Sequence, residues 1–207
     1  MSRTSEERLL VDGPSGNLEI AVSEPDGVIM GCALIAHPHP LYGGTLDNKV
    51  VQTLAKAFNS LNLVAIRFNF RGVGHSDGVY DNGDGEVEDF KVVLNYVVSR
   101  FKPKYLIYAG FSFGTYVVSQ VAITDAPDRL VLVAPAVGKF EVPDVLSDTV
   151  VVHGEKDDVV SMAEVLDWAR PQKLPVIVFP AAGHFFHGDL VRLKQLVIDS
   201  CGYKLFT

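Results

Sequence analysis

The chain has 207 residues, 48% of them hydrophobic and 21% charged, with a formal net charge of −7. This composition is typical of a globular protein with one sizeable core, so we expect a single domain over residues 1–207. The negative charge argues against nucleic acid or an anionic membrane surface as a partner, because both bind basic faces. No apolar run is long enough to cross a bilayer. The first residues lack the apolar segment of a secretory signal, which favours a cytoplasmic location.

The hydrophobic pattern divides the chain into a hairpin followed by alternating strands and helices. The first two segments, EERLLVDG and NLEIAVSEP, alternate polar and apolar residues around GPSG and predict an antiparallel hairpin at a sheet edge. Beyond them, short runs that are apolar throughout alternate with segments of helical periodicity. In chain order these segments are ALIAH, LDNKVVQTLAKAFNSL, LVAIRFNF, GEVEDFKVVLNYVVSR, KYLIYAG, TYVVSQVAI, RLVLVAP, TVVVHG, SMAEVLDWAR (with Ser161 as the predicted N-cap), LPVIVFP and GDLVRLKQLVIDS. Strands that are apolar on both faces are typical of a sheet covered by helices, so we predict an α/β sandwich with a mostly parallel sheet.

Two stretches satisfy G-x-S-x-G, the pattern of a serine nucleophile on a sharp strand-to-helix turn. They are GHSDG around Ser76 and GFSFG around Ser112. Such a turn needs a helix directly after the serine, because the helix N-terminus supplies backbone N–H groups beside the hydroxyl. GFSFG is followed by the helical TYVVSQVAI, whereas GHSDG is followed by GVYDNGDG, which favours turns. We therefore predict Ser112 as the nucleophile, and for Ser76 a loop-shaping side-chain to backbone hydrogen bond.

Groups that could activate this serine follow later strands. A serine hydroxyl becomes a good nucleophile when an imidazole takes its proton and a carboxylate orients that imidazole. The strand TVVVHG leads into the acidic loop EKDDVV, and VIVFP leads into AAGHFFHGD, which holds two histidines. These loops follow the carboxyl ends of predicted parallel strands, the edge at which open α/β sheets form their sites.

Five segments together give the sequence a resemblance to the α/β-hydrolase superfamily, in particular to its small bacterial serine hydrolases. The segments are HPHPLYGGT, FNFRGVGHS, GFSFG, HGEKDDVV and AGHFFHGD, and the likeness spans nearly the whole chain. It implies the α/β-hydrolase fold. By this similarity the HG-x-x-D pattern of the family falls on Asp157 as the acid of a catalytic triad, and its G-H falls on His184 as the base. Asp158 and His187 are the alternatives.

The resemblance also implies an oxyanion hole, formed by two backbone N–H groups that face the negative oxygen of the reaction intermediate. One N–H belongs to the residue after the nucleophile, Phe113, and the other to the loop HPHPLYGG after the third strand. The two prolines of HPHP have no N–H. By its position in the loop, similarity to the family selects the amide of His39, with Leu41 and Tyr42 as alternatives.

The segment between RLVLVAP and TVVVHG is too short to form a helical lid, so we expect no cap domain and an open site. Tyr42 and Phe185 are predicted to bind substrate. Six aromatic residues could form an apolar rim around the site, although we expect Phe111 in the core. They are Tyr42, Phe111, Phe113, Phe140, Phe185 and Phe186.

The expected function is hydrolysis of a small carboxylic ester or thioester, without a cofactor. A peptidase or an acyltransferase would use the same triad, and a non-catalytic binding protein could share the fold. His37 and His39 form an H-x-H pair of the kind that can bind a metal, but no carboxylate cluster is near them in sequence and no metal site is predicted. Cys32 and Cys201 are far apart and are expected to be unpaired thiols.

Overall fold

The computed structural model describes residues 5–205, which contain a single eight-stranded sheet. Its order is β1-β2-β4-β3-β5-β6-β7-β8. The strands β1 and β2 form an antiparallel hairpin at one edge, β2 pairs antiparallel with β4, and all other neighbours are parallel. The predicted edge hairpin and mostly parallel sheet are therefore confirmed. The strands are β1 Ser5–Gly13, β2 Gly16–Glu24, β3 Gly31–Ala36, β4 Leu63–Phe68, β5 Leu106–Phe111, β6 Arg129–Val133, β7 Val150–Gly154 and β8 Val176–Phe179.

Helices cover both faces of the sheet, as the uniformly apolar strands predict. Side chains of a strand alternate between the two faces, and in β3 Ala33 and Ile35 pack into one apolar core while Cys32 and Leu34 pack into the other. The first core is closed by α1 and α5, and the second by α2 and α3. A smaller core lies between α4 and β7. The helices are α1 Lys49–Ser60, α2 Asp84–Phe101, α3 Phe113–Thr124, α4 Met162–Ala169 and α5 Leu190–Leu205.

The starts of α1 and α4 carry side-chain caps that the sequence favours. The Asn48 side chain accepts a hydrogen bond from the Val50 amide at the start of α1. At α4, Ser161 accepts from the Glu164 amide while the Glu164 carboxylate accepts from the Ser161 amide, and this reciprocal pair satisfies two free N–H groups. The predicted N-cap of α4 is confirmed.

The loop after β4 explains the second G-x-S-x-G motif. The Ser76 hydroxyl accepts a hydrogen bond from the Glu19 amide at 2.9 Å and donates one to the carbonyl of Asn69 at 2.7 Å. Ser76 is buried, and no helix follows it directly. The hydroxyl therefore joins this loop to β2, which confirms the predicted loop-shaping role.

The connector from β6 to β7 contains no helix, so the described part of the chain has no lid over the carboxyl edge of the sheet. Cys32 and Cys201 are unpaired, and they are buried in cores on opposite faces of the sheet. Within residues 5–205, no helix combines the length and the apolar character needed to span a bilayer.

Candidate active site

The turn between β5 and α3 holds Ser112 in a strained backbone conformation. Its φ is 53° and its ψ is −120°, a combination that costs energy for any residue with a side chain. The Ser112 amide donates to the carbonyl of Val133 at 3.0 Å, which ties the turn to the neighbouring strand β6. A Cβ atom on Gly110 would lie 2.5 Å from the backbone of Gly114, and one on Gly114 would lie 2.4 Å from the carbonyl oxygen of Ala36. Both flanking glycines are therefore required for the close packing of this turn.

Thr115 fixes the turn from the helix side. Its Oγ1 donates to the carbonyl of Ser112 at 2.5 Å and accepts from the Ala136 amide at 3.0 Å. It is fully buried. Thr115 thus links the serine turn to the loop after β6. Sequence patterns alone do not predict this role, since they show only a threonine three residues after Ser112.

His184, in the loop after β8, lies against the serine. Its Nε2 is 2.9 Å from Ser112 Oγ and its Nδ1 is 2.7 Å from Asp157 Oδ2. The ring packs against the ring of Phe111, with centroids 5.1 Å apart. Because Nδ1 faces a carboxylate it carries the proton, which leaves the Nε2 lone pair directed at the serine hydroxyl.

Asp157, in the loop after β7, has a fully buried side chain. While Oδ2 faces His184, Oδ1 accepts from the amides of Val159 and Val160, each at 2.9 Å. Burial alone would raise the pKa of this carboxyl, but the hydrogen bonds from His184 and the two amides outweigh it and hold the pKa below its ordinary value. The group is therefore an anion across the neutral pH range.

The two alternative residues lie elsewhere. Asp158 is exposed to solvent, and His187 is exposed and stacks on Phe185. His153 is buried at the end of β7, where its Nε2 donates to the carbonyl of Val160 at 3.0 Å. Of the predicted acid and base candidates, the structure brings Asp157 and His184 to Ser112.

His37, at the end of β3, controls the orientation of a neighbouring peptide. Its Nδ1 donates to the carbonyl of Pro38 at 2.6 Å, and its Nε2 accepts from the Phe70 amide at 3.1 Å. The Pro38 carbonyl and the His39 amide belong to one planar peptide unit and point in opposite directions. Fixing the carbonyl therefore directs the His39 N–H away from the His37 ring. A side chain on Gly44 would collide with this carbonyl, since a Cβ would lie 2.0 Å from its oxygen.

The hydrogen bonds of the loop after β3 distinguish among the three amides predicted as oxyanion donors, those of His39, Leu41 and Tyr42. The Leu41 amide donates to His39 Nδ1 at 3.2 Å, and the Tyr42 amide donates to the His39 carbonyl at 3.1 Å. Both alternative donors are thus engaged within the loop. Phe113 is the first residue of α3, where a backbone N–H has no partner within the helix.

Two hollows open on either side of Ser112. The larger, of about 410 Å³, lies toward the loop after β6 and is lined by Ala136, Lys139 and Phe140. The smaller, of about 190 Å³, is lined by Gly43, Asn48, His184 and Phe185. The residues that line both, and so divide them, are His39, Tyr42, Ser112 and Val159.

The predicted aromatic rim is only partly present. Tyr42 is 86% exposed and Phe185 is 45% exposed, and both line the smaller hollow. Phe186 is fully buried and packs in the core with Phe179, so its assignment to the rim was wrong. The backbone of Phe186 has a positive φ of 51°, which is uncommon for a residue with a large side chain. Phe111 lies in the core as predicted, and Phe113 is buried but lines the larger hollow.

The mostly parallel sheet and a serine on a strained strand-to-helix turn define the class of the protein as an α/β hydrolase. The sequence model of the family described as serine aminopeptidase S33 matches residues 43–149, just over half of the chain. The chain belongs to this family of α/β serine hydrolases.

Relatives resemble the protein over nearly its whole length. An α/β serine hydrolase homologue from Coxiella burnetii is 42% identical, with a TM-score of 0.89, and the match covers 97% of this chain and 99% of that chain. An α/β serine hydrolase without a lid from Xanthomonas campestris is 35% identical, with a TM-score of 0.90, over 96% of this chain and 94% of that chain. An uncharacterized protein of Rickettsia prowazekii is 28% identical over 93% of this chain and 87% of its own length.

The buried ring of His37 predicts a specific pH dependence of stability. Burial lowers the pKa of this histidine to about 3, whereas an unfolded histidine titrates near pH 6.5. As the pH falls from 7 to 5, the unfolded state gains a proton that the folded state does not bind. The free energy of unfolding of wild type therefore falls by about 2 kcal/mol through this group. The His37→Asn variant lacks this group and is expected to be less stable than wild type at pH 7. The difference between the two free energies of unfolding should be about 2 kcal/mol smaller at pH 5 than at pH 7.

Urea denaturation at the two pH values measures this difference. His187→Asn, at an exposed position, is the control and should remain within about 0.5 kcal/mol of wild type at both. A His37→Asn deficit that stays constant or grows at pH 5 would contradict the buried neutral ring.

Proposed function

We propose that the protein cleaves a small carboxylic ester or thioester through an acyl-enzyme formed on Ser112. The observation that carries this proposal is the chain of hydrogen bonds from Ser112 Oγ through the ring of His184 to Asp157, with distances of 2.9 Å and 2.7 Å. This arrangement lets an imidazole take the serine proton while a buried anion orients the ring and stabilises its charged form.

In the first half of the reaction, Ser112 Oγ forms a bond to the substrate carbonyl carbon as its proton passes to His184 Nε2. The carbonyl oxygen becomes an oxyanion, which accepts hydrogen bonds from the amides of His39 and Phe113. The intermediate then breaks the bond to the alcohol or thiol, which leaves with the proton from His184. The acyl group remains on Ser112.

In the second half, water replaces the alcohol. His184 removes a proton from the water, whose oxygen attacks the acyl carbon, and the same two amides stabilise the second oxyanion. The bond to Ser112 Oγ then breaks, and the serine recovers its proton from His184. The products are the carboxylic acid and the free enzyme, and no cofactor takes part in either half.

An ester or thioester is favoured over the amide that the family description suggests. An aminopeptidase must bind the free ammonium group of its substrate, which calls for a carboxylate in the site. Among the described residues that line the two hollows, none is an aspartate or a glutamate. An open site also suits leaving groups that depart easily, as alkoxides and thiolates do compared with amines. Peptidase activity is therefore the second candidate.

A fluorophosphonate probe tests the proposed nucleophile. The probe reacts with activated serines, so wild type should be labelled and Ser112→Ala should not. Ser76→Ala is the matched control, since it removes the serine of the second G-x-S-x-G motif and should retain the label. Labelling of Ser112→Ala would contradict the proposal, as would an unlabelled wild type.

A pair of His39 substitutions tests the proposed oxyanion donor, which is a backbone group. The φ of −52° at His39 is one that proline adopts, so His39→Pro removes the N–H while keeping this angle. His39→Ala removes the same ring but keeps the N–H. Loss of one donor should lower kcat for a 4-nitrophenyl ester by about 100-fold or more in His39→Pro relative to His39→Ala. Equal rates in the two variants would assign the donor elsewhere.

A further inference from the structure

The larger hollow has the charge and lining of a binding site for an anionic substrate. Its lining combines aromatic and aliphatic side chains with a single cation, Lys139, and contains no carboxylate. The chain as a whole carries a net charge of −7. A positive group at the rim of the site therefore contrasts with the charge of the rest of the molecule.

The loop after β6 holds Lys139 at this rim. The Lys139 amide donates to the carbonyl of Ala136 at 3.2 Å, and a β-bridge joins Val137 to Phe140 across the turn. Gly138 supplies the positive φ of 74° that the turn needs. Lys139 is thus placed by backbone hydrogen bonds in the same loop that Thr115 anchors to the serine turn.

The charge of Lys139 is free to act on a ligand. Among the described residues, no carboxylate lies within ion-pair distance of its ammonium group. The pKa of Glu164 is lowered mainly by hydrogen bonds from the amide and the hydroxyl of Ser161, at 2.9 and 2.8 Å, and less by the charge of Lys139. The imidazole of His39, which also lines the hollow, has its pKa lowered by burial and is neutral at pH 7.

Three aromatic rings in tilted and edge-to-face contact line the same hollow as Ser112 and Lys139. His39 packs against Phe113 and Phe140, with ring centroids 5.0 and 5.9 Å apart. The rings of Phe113 and Phe140 are also 5.0 Å apart. Such a lining accommodates an apolar chain or an aromatic ring, in the hollow that the ammonium group also lines.

The position of His184 decides which part of a substrate enters this hollow. In the proposed reaction the leaving oxygen takes its proton from His184 Nε2, so the leaving group must lie beside that ring. His184 lines the smaller hollow and is absent from the lining of the larger. The larger hollow is therefore left for the acyl group.

We propose that the enzyme prefers esters whose acyl group is apolar near the carbonyl and ends in an anion, which Lys139 binds. A half-ester of a dicarboxylic acid is the simplest substrate of this class. The inference rests on the proposed hydrolase function and adds the chemical class of the acyl group.

Paired esters of equal length test the preference. Each pair consists of the mono-4-nitrophenyl ester of adipic or suberic acid and the corresponding methyl 4-nitrophenyl diester, in which the distal charge is masked. The ratio of kcat/KM for the charged and the neutral member isolates the effect of the charge. In Lys139→Gln this ratio should fall about fivefold from wild type, the upper range for an ion pair open to solvent.

Three comparisons sharpen the result. Lys139→Arg should keep most of the wild-type ratio, and Lys139→Glu should lower it further than Lys139→Gln does. Lys104→Gln, which makes the same change of net charge at an exposed site before β5, should leave the ratio unchanged. In about 1 M salt the wild-type and Lys139→Gln ratios should converge, because exposed charges are screened.

The outcomes separate this inference from the proposed function. Equal ratios in wild type and Lys139→Gln, or an equal drop in Lys104→Gln, would overturn the anion preference. Hydrolysis of the neutral diester that is lost in Ser112→Ala would leave the esterase function standing in that case. Absence of Ser112-dependent hydrolysis of either ester would overturn the function, and the anion preference with it.

Discussion

The hydrogen bond between His184 Nδ1 and Asp157 Oδ2 is the contact on which the site depends. It joins the loops after β7 and β8 at 2.7 Å, with both side chains almost fully buried. The other oxygen of Asp157 holds two amides of its own loop. One carboxylate therefore shapes its loop and orients the imidazole, and removing this carboxylate would leave the N–H groups of the buried residues His184 and Val160 without their partner.

Buried side chains also hold the backbone groups around Ser112 through hydrogen bonds. The His37 ring sets the plane of the peptide that carries the His39 N–H, and Thr115 Oγ1 holds the carbonyl of Ser112. Both side chains are fully buried. The described part of the chain places no lid over the site, and these inner contacts hold the backbone groups around Ser112. The exposed side chains that line the two hollows include those of Tyr42, Lys139 and Phe185.

The fold and the place of Ser112 could be predicted from local pattern, whereas the choice of Asp157 and His184 over Asp158 and His187 rested on the resemblance to the α/β-hydrolase superfamily. Ser112 lies between a strand and a helix that are both readable in the sequence, and the loops of Asp157 and His184 follow apolar strands whose ends meet at one edge. Thr115 could not be predicted, since its role depends on the approach of the loop after β6. The burial of Phe186 was missed because the loop after β8 has no helical or strand periodicity that would indicate which of its side chains face the core.

The most direct test of the account compares Asp157→Asn with Asp158→Asn, two identical changes at adjacent positions. The asparagine at 157 can fill the same space but cannot stabilise a charged imidazole, so kcat for a 4-nitrophenyl ester should fall about 10⁴-fold. Asp158 is exposed, and its variant should turn over at close to the wild-type rate. Equal losses of kcat in the two variants, or an Asp157→Asn enzyme with the wild-type kcat, would contradict the proposed triad of Ser112, His184 and Asp157.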